Sequence, residues 1–293
     1  MIWAVTFNPS WDMTYIVPTP WALGGVMTAE QVVARPGGKG NNVARVAHRL
    51  GQAVTAVGLY GGSTGAMVCD ALEALGIGVV AEESAGETRT CLTLLSAGTE
   101  ITELRDPGPR VDAAVADRLL VTLKARVHSA DWVTLSGSLP AGLDPSLWVR
   151  WINQLSPRCR GVLVDTSGMN LRAAATAHPL VLVPNRAEWD AVGLGEMRPL
   201  VVTEGRQGIV WYPAMSTEIY RIYPPTVPVR NSVGAGDALL GGLVTALASN
   251  EPWEAALKFA VAVATASVMT DAVADVDPKD VPRILEGVVV EPA

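Results

Sequence analysis

The chain has 293 residues, of which 49% are hydrophobic and 17% charged, and its formal net charge is −7 at pH 7. This length and apolar content are typical of one large globular domain and exclude a disordered or fibrous chain. The 29 acidic against 22 basic residues argue against a nucleic-acid partner, although a few arginines and lysines can still bind a small anion locally.

Cysteine spacing and hydropathy predict a reduced cytoplasmic protein without a membrane partner. Cys69, Cys91 and Cys159 are isolated and form no CxxC pair, and the 3 histidines are not spaced as metal ligands. Residues 1–7 form a short apolar run that ends at an Asn-Pro pair, so we expect a first strand rather than a signal peptide. The longest apolar stretch, residues 259–269, is shorter than the roughly 20 residues of a membrane span.

Along the chain, short β-rich runs alternate with Ala-rich helical segments. Strands are predicted at residues 2–7, 53–59, 132–135, 161–165, 180–183, 200–203 and 208–212. Helices are predicted between them at residues 41–50, 64–75, 111–127 and 145–155. This alternation is typical of an α/β fold with a central, mostly parallel sheet covered by helices on both faces.

Two pairs of predicted strands have no helix between them and indicate a second, small β-sheet. They lie at residues 14–17 with 31–35 and at residues 90–95 with 101–104. Because ligands of α/β proteins bind at the carboxyl ends of the strands, a small sheet there can act as a lid. We therefore predict one domain over residues 1–293, with a lid formed by about residues 13–35 and 88–106, since no repeat or long linker divides the chain.

The most informative segment is Asn231-Ser-Val-Gly-Ala-Gly-Asp237, which precedes a very apolar run of residues. Gly234 and Gly236 flank Ala235 at the start of a predicted helix, where free backbone N–H groups and the helix dipole favour an anion. A carboxylate in the first turn, Asp237, can accept a hydroxyl proton while that oxygen attacks a phosphoryl group. The sequence contains neither a Walker A loop nor a dinucleotide-binding fingerprint at this point.

Three other segments carry groups suited to a phosphorylated sugar. Asp12 follows the first predicted strand, and its carboxylate can accept hydrogen bonds from two sugar hydroxyls. Residues 35–51 contain Gly-Gly-Lys-Gly before a predicted helix, and glycines permit close backbone approach to a ligand. Arg89 and Arg105 flank the predicted lid strands, and guanidinium groups bind phosphate through paired hydrogen bonds.

These segments resemble the signatures of the ribokinase (PfkB) superfamily over nearly the whole chain. The closest similarity is to the branch that contains 1-phosphofructokinase, tagatose-6-phosphate kinase and the minor 6-phosphofructokinase. It rests on NPSxD at 8–12, GGKGxN at 37–42, Thr-Arg at 88–89 and SGSLP at 136–140. The resemblance implies a ribokinase-like fold with a small β-sheet lid, and ATP and Mg²⁺ as cofactors.

The resemblance also implies roles for individual residues. Asp237 would be the catalytic base, with Gly234, Ala235 and Gly236 as the anion hole. The sugar phosphate would be bound by Asp12, Gly37, Gly38, Lys39, Asn42, Arg89, Arg105 and Ser138. The nucleotide would be bound by Asn185, Thr203, Gly205, Gly208 and Gly236. Mg²⁺ would be held near the nucleotide phosphates, mainly through water, by Asn185 and Glu188.

The chain departs from the branch at three positions near these segments. Val183 stands where a lysine usually precedes Pro-Asn, which removes one expected positive contact to the nucleotide phosphates. Trp11 replaces an aliphatic residue, and Glu204 stands where a small or apolar residue is commoner in the nucleotide loop.

The implied activity is ATP-dependent phosphorylation of a ketohexose monophosphate, with fructose 1-phosphate as the first choice and fructose 1,6-bisphosphate as its product. A tagatose-6-phosphate or fructose-6-phosphate kinase is the alternative, because the contacts that distinguish these substrates lie in the lid. A nucleoside or free-sugar kinase would not need Lys39, Arg89 and Arg105 at one cleft. A non-catalytic sugar-phosphate sensor would not need Asp237. Open edges of the lid sheet predict a homodimer that pairs through the lid.

Overall fold

A ten-stranded and a four-stranded β-sheet organise the protein, whose computed structural model describes residues 1–17, 24–96, 101–195 and 197–293. The strands are β1 (Ile2–Thr6), β2 (Ser10–Val17), β3 (Gln31–Gly37), β4 (Val54–Tyr60), β5 (Gly78–Glu83), β6 (Arg89–Ser96), β7 (Ile101–Arg105), β8 (Trp132–Ser136), β9 (Gly161–Asp165), β10 (Val181–Leu182), β11 (Leu200–Thr203), β12 (Ile209–Tyr212), β13 (Tyr220–Tyr223) and β14 (Val289–Pro292). The helices are α1 (Lys39–Arg49), α2 (Gly62–Ala74), α3 (Ala113–Lys124), α4 (Ser146–Leu155), α5 (Gly168–Thr176), α6 (Arg186–Val192), α7 (Ala235–Ala248), α8 (Trp253–Ser267) and α9 (Val281–Glu286).

The large sheet has the strand order β14-β13-β12-β11-β10-β9-β8-β1-β4-β5. In this spatial order, all neighbouring strands between β11 and β5 pair in parallel. Beyond β11, the strands β12, β13 and β14 extend the sheet through antiparallel pairs. The central strands β1, β8 and β9 are buried along their whole length. Because helices cover both faces of such a sheet, its central strands are near-continuous apolar runs.

Two apolar layers pack on the two faces of the large sheet. One layer contains buried residues of α1, α2, α7, α8 and α9, and the other contains buried residues of α3, α4, α5 and α6. In the second layer, Phe7 packs edge-on against Trp148 and Trp151, with ring centroids 5.4 and 4.7 Å away. Phe7 directly follows β1, so these contacts anchor the carboxyl end of the central strand, where the site residues lie.

The four-stranded sheet has the order β3-β2-β6-β7 and confirms the predicted second sheet. β2 pairs with β3 and β6 with β7 as antiparallel hairpins, and β2 and β6 join the hairpins in parallel. The parts of the predicted lid at residues 18–23 and 97–100 lie outside the described residues.

The mostly parallel sheet with helices on both faces is also confirmed, with element ends that differ from prediction by a few residues. Three strands were not predicted, namely β5, β13 and β14, and neither were α5, α8 and α9. None of the helices in the described part of the chain combines the length and the apolarity needed to cross a bilayer.

Candidate active site

The entrance of α7 is built around Gly234 and Asp237. Gly234 caps the helix with φ 82°, and a Cβ at this position would lie 2.8 Å from both the Cβ and the backbone N of Ala274, so only glycine fits. A Cβ at Gly236 would meet no protein atom within 4 Å in the described residues. The first turn of α7 therefore presents its backbone N–H groups on an open side, which suits an anion.

Asp237 is buried at this entrance, and its carboxylate meets the first turns of two helices. Its Oδ2 accepts a hydrogen bond of 2.7 Å from Nδ2 of Asn42 on α1. Burial raises the pKa of Asp237 to about 7, although the ammonium of Lys39 lowers it in part. Asp165 and Asp12 raise it further through their negative charges. A carboxylate with this pKa can take up and release a proton near neutral pH.

Lys39 begins α1 and forms an ion pair across the sheet. Its Nζ donates to both carboxylate oxygens of Asp165, at 3.0 and 3.1 Å, at the carboxyl end of β9. Burial alone would lower the pKa of Lys39, but the negative charges of Asp165, Asp237 and Glu188 outweigh it, and the pKa is raised. The ammonium group therefore stays charged, and it is the positive centre of a cluster of carboxylates.

Glycines at the start of α1 and just before it allow the chain to approach β1 and β2 closely. A Cβ at Gly40 would lie 2.3 Å from the carbonyl oxygen of Val5 and from Oγ1 of Thr6. A Cβ at Gly37 would lie 2.1 Å from the carboxyl group of Asp12. Each glycine thus leaves room for backbone or side-chain atoms of the protein itself.

Asp12 lies on β2, and its carboxylate is held against this turn. Oδ1 accepts a hydrogen bond of 2.6 Å from Oγ of Ser10. Burial raises the pKa of Asp12, while that hydrogen bond and the positive charges of Arg45 and Arg89 oppose the shift. Half-buried and close to cationic groups, the carboxylate is suited to accept hydrogen bonds from hydroxyl groups.

Arg89 begins β6 and stands at the base of the lid. Its Nη2 donates to the carbonyl oxygen of Asn8 at 3.0 Å, and its Nη1 donates to that of Asp106 at 3.2 Å. Its Nε is buried and has no hydrogen-bond partner in the described residues. Nδ2 of Asn8 also lies 3.4 Å from Oγ of Ser138, which is exposed on the loop after β8. A guanidinium group in this position retains donors for an anion.

Arg105 lies farther out, on the edge strand of the small sheet. It shares a register row with Cys91 and Asp12, two strands away, so its side chain projects from the same face as Asp12. Its Nη2 forms an ion pair of 2.8 Å with Glu103, and its side chain is 65% exposed. Arg105 is thus partly neutralised, and it is the predicted sugar-phosphate residue that lies least within the cleft.

Asn185 and Glu188 form a capping box at the start of α6. The backbone N of Glu188 donates to Oδ1 of Asn185 at 2.8 Å, and the backbone N of Asn185 donates to Oε2 of Glu188 at 3.0 Å. The negative charge of Glu188 helps to raise the pKa of Lys39. The described residues contain no cluster of three or more acidic, histidine or cysteine side chains suited to a metal ion.

The predicted nucleotide loop connects β11 to β12. Thr203 ends β11 and bridges to Asn185, which joins the loop to the entrance of α6. Gly205 and Gly208 have φ 59° and 83°, and a Cβ at Gly208 would lie 2.0 Å from the carbonyl oxygen of Ile222. These positive φ angles and the tight contact explain why the turn needs its glycines.

Two departures from the family pattern have distinct surroundings. Val183 is 4% exposed and belongs to an apolar cluster, so it offers no charge to the nucleotide side. Glu204 instead forms ion pairs with Arg186 and Arg221, at 2.9 and 2.8 Å. Glu204 therefore holds two guanidinium groups beside the predicted nucleotide loop.

The structure brings most of the predicted site residues to one cleft and adds two that the sequence reasoning missed. Asp165 is the partner of Lys39, and it was detectable as the last residue of a predicted strand, where α/β proteins place ligand contacts. Arg45 donates from Nη2 to Oδ1 of Asn42 at 2.7 Å, one helical turn along α1. Its spacing of three residues from Asn42 was the available signal.

Comparison with known proteins shows the family of the chain. The family described as pfkB family carbohydrate kinase matches residues 5–280 of the chain. The 1-phosphofructokinase of Escherichia coli strain K12 is 29% identical over 306 aligned residues, which cover 98% of this chain and 97% of that protein.

Solved structures show the same fold. Phosphofructokinase-2 from Escherichia coli, in complex with substrates and products, superposes with a TM-score of 0.88 at 26% identity, covering 98% of each chain. Ribokinase from Thermotoga maritima gives a TM-score of 0.73 at 19% identity, covering 98% of this chain and 99% of that one. The predicted ribokinase-like fold is confirmed. The chain belongs to the pfkB family of carbohydrate kinases, and it is a phosphotransferase.

Proposed function

We propose that the protein transfers the γ-phosphoryl group of ATP to a hydroxyl group of a ketohexose monophosphate, with fructose 1-phosphate as the preferred substrate. The observation that carries the proposal is the position of Asp237, buried at the open entrance of α7 with Lys39 and Asn42 beside it. Asp12 and Arg89 lie on the lid side, as a hydroxyl-binding carboxylate and an anion-binding guanidinium. The name of the 29% identical Escherichia coli relative supports the choice of fructose 1-phosphate.

In the proposed reaction, Asp237 accepts the proton of the attacking sugar hydroxyl as its oxygen forms a bond to the γ-phosphorus and the bond to ADP breaks. The hydrogen bond from Asn42 orients the carboxylate of Asp237. The N–H groups at the start of α7 stabilise negative charge on the transferring group. Lys39 keeps positive charge between the carboxylates and the phosphoryl group, while Arg89 binds the phosphate that the sugar already carries.

The residues at the entrance of α6 fit a magnesium ion that keeps most of its water. Mg²⁺ is usually bound through one or two carboxylates together with phosphate oxygens, rather than by a cage of protein ligands. Glu188, with Asn185 beside it, supplies such a carboxylate, and the described residues offer no larger acidic cluster. When bound, the ion would neutralise charge on the nucleotide phosphates. Thr203, Gly205, Gly208 and Gly236 would line the nucleotide.

Steady-state assays of ADP release, with each sugar as the acceptor, test the proposal. We expect kcat/KM for fructose 1-phosphate to exceed that for fructose 6-phosphate and for tagatose 6-phosphate by about tenfold or more, the value of one well-formed contact. Free fructose and adenosine serve as controls and should react far more slowly, because they offer Arg89 no phosphate. Chelation of divalent ions should abolish turnover, and added Mg²⁺ should restore it.

The outcomes separate the candidate functions. Preference for one of the two 6-phosphates would reassign the substrate within the same chemistry. Preference for an unphosphorylated sugar or a nucleoside would refute the sugar-phosphate assignment. Binding of sugar phosphates without turnover, equally in the wild type and in an Asp237→Asn variant, would identify a sensor instead of an enzyme.

We further propose that the protein acts in the cytoplasm as a single kinase unit that forms a homodimer through the lid. One face of the small sheet carries two adjacent apolar register rows. One row consists of Ala34, Met13, Leu92 and Leu104, and the other consists of Val32, Tyr15 and Leu94 and ends at the polar Thr102. Leu104 and Val32 are 67% and 47% exposed, and apolar faces of this kind mark interfaces.

Sedimentation velocity tests the proposed dimer. We expect the wild type to sediment as a dimer at micromolar concentration. A Leu104→Asp variant should sediment as a monomer, because it would bury a charge on this face. A surface substitution elsewhere, Val121→Asp on α3, is the control, since Val121 is equally 67% exposed. A monomeric wild type, or equal behaviour of both variants, would refute the lid dimer.

A further inference from the structure

A cavity lies along α1, with Arg45 among its lining residues. It has a volume of about 380 Å³ and is bounded by α1, the end of α2 and the segment before α9. Its charged lining consists of Arg35, Arg45, Arg49 and Asp275, with His48 beside them. Of the described residues that line it, none belongs to the groups assigned above to the sugar phosphate or to the nucleotide.

Positive charge predominates in this cavity. Asp275 is its single lining carboxylate among the described residues, and two guanidinium groups share it. Arg35 contacts Oδ2 and Arg49 contacts Oδ1, each at 3.1 Å. Within the described residues, the hydrogen-bond acceptors of Arg45 are neutral, namely Oδ1 of Asn42 at 2.7 Å and the carbonyl oxygen of Val273 at 3.0 Å. Three guanidinium groups thus face one carboxylate.

Two of these guanidinium groups also retain unused donors. The Nε atoms of Arg35 and Arg45 are buried and have no hydrogen-bond partner in the described parts of the chain. Arg45 is only 6% exposed, and a buried charged donor without an acceptor is costly. Burial and the neighbouring positive charge of Arg35 lower the pKa of Arg45 to about 10, although the negative charges of Asp12, Asp275 and Asp237 oppose this shift. The donors without partners and the excess of cationic residues in the lining both favour an anion.

We propose that this cavity binds a small organic phosphate, whose phosphoryl group lies among Arg35, Arg45 and Arg49. Planar guanidinium groups bind phosphate oxygens through paired hydrogen bonds. Three guanidinium groups carry enough positive charge to balance a phosphate dianion together with the carboxylate of Asp275. The remaining wall is apolar and includes Leu75 and Ile77, which suits the carbon body of an ester rather than free phosphate.

Arg45 connects the cavity to the catalytic cleft by two short hydrogen bonds. Its Nη2 lies 2.7 Å from Oδ1 of Asn42, and Nδ2 of Asn42 lies 2.7 Å from Oδ2 of Asp237. A phosphate bound to Arg45 would neutralise a positive charge that favours the ionised form of Asp237. Its occupant is therefore expected to slow phosphoryl transfer, a consequence that rests on the proposed function of Asp237.

Calorimetric titration with phenyl phosphate tests the site. The protein is saturated with fructose 1-phosphate and a non-hydrolysable ATP analogue with Mg²⁺, so that the catalytic cleft is occupied. We expect binding to the wild type and a loss of affinity of about tenfold or more in Arg49→Gln, which removes a charged donor. Arg118→Gln is the matched control. Arg118, on α3, is also half-exposed and is paired with a single carboxylate, that of Glu82 on β5.

Further arms of the titration make the outcome decisive. Inorganic phosphate should bind more weakly than phenyl phosphate, since it cannot contact Leu75 or Ile77. Equal affinity of the two would overturn the assignment to an organic phosphate. Absence of binding at millimolar ligand, equal affinity of Arg49→Gln and wild type, or loss of binding when the cleft is occupied would overturn the site itself.

An assay of kinase activity tests the coupling separately. Phenyl phosphate should lower kcat of the wild type without competing with the sugar phosphate, and Arg49→Gln should resist it. Competitive inhibition would overturn the coupling and locate the ligand in the catalytic cleft. If the protein phosphorylates none of the sugars, the proposed function fails, whereas the binding titration still decides the fate of the second site.

Discussion

An Asp237→Asn variant should lose about three orders of magnitude in kcat while it keeps its affinity for the sugar phosphate, because general-base catalysis contributes about 10²- to 10⁴-fold. Asparagine has the same size and can still accept the hydrogen bond from Asn42. It cannot accept the hydroxyl proton. The loss is therefore expected in kcat, with KM changed by less than about fivefold.

The matched control is Asp117→Asn, which removes a half-exposed carboxylate from α3 on the surface. We expect its kcat and KM to equal those of the wild type. Circular dichroism of both variants checks that the fold is intact. A decrease of less than tenfold in kcat for Asp237→Asn would show that another group takes the proton.

The pH profile gives an independent check on the same residue. Burial, partly offset by the charge of Lys39, raises the pKa of Asp237 from an ordinary 3.8 to about 7. Because the base must be ionised, kcat/KM of the wild type should fall with unit slope as the pH drops below about 7. The residual activity of Asp237→Asn should lack this acid limb.

The same shift predicts an effect on stability whose sign is opposite to that of activity. The pKa of Asp237 is higher in the folded than in the unfolded state. The free energy of unfolding of the wild type should therefore decrease as the pH rises from about 4 to about 7. The Asp237→Asn variant has no such decrease. It should therefore be more stable than the wild type in chemical unfolding at pH 8, and the difference should vanish near pH 4.

The fold and much of the candidate site were predictable, because both depend on local patterns. Buried parallel strands such as β1 and β9 are continuous apolar runs, and the glycines at 37 and 234 mark turns that only glycine accommodates. The edge strand β5 was missed since its sequence ends in Ala-Glu-Glu, which has low β propensity, and one neighbouring strand suffices to hold it.

The ion pairs and hydrogen bonds among the charged groups of the site were not predictable, because they join distant parts of the chain. The pair between Lys39 and Asp165 spans 126 residues, and the bond from Asn42 to Asp237 spans 195. The spacing of three residues places Arg45 on the same side of α1 as Asn42, but it does not predict that Arg45 is buried, as it is in the folded protein. Such roles emerge only when the carboxyl ends of the strands and the helix entrances meet.

Arg89 and Arg105 have the same side chain and the same predicted role, but the structure gives them different expected contributions to substrate binding. Arg89 is anchored by two carbonyl oxygens at the base of the lid and keeps a buried Nε without a partner. Arg105 is largely exposed and already paired with Glu103. A phosphate in the cleft gains a preorganised donor from Arg89, whereas Arg105 would first have to leave its carboxylate.

Arg89→Met should therefore raise KM for fructose 1-phosphate by about 10- to 100-fold, which corresponds to the loss of one charged hydrogen-bonding group of about 1.5–3 kcal/mol. KM for ATP and kcat should change little, because Arg89 touches neither the nucleotide loop nor Asp237 in this arrangement. Arg105→Met, the matched control in the same lid, should raise KM for the sugar phosphate by less than about fivefold, since an exposed paired charge contributes little. Equal effects of the two substitutions, or a larger effect at Arg105, would contradict this expectation. Either result would mean that the lid closes far enough to bring its outer strand onto the substrate. The phosphate site would then lie between β6 and β7.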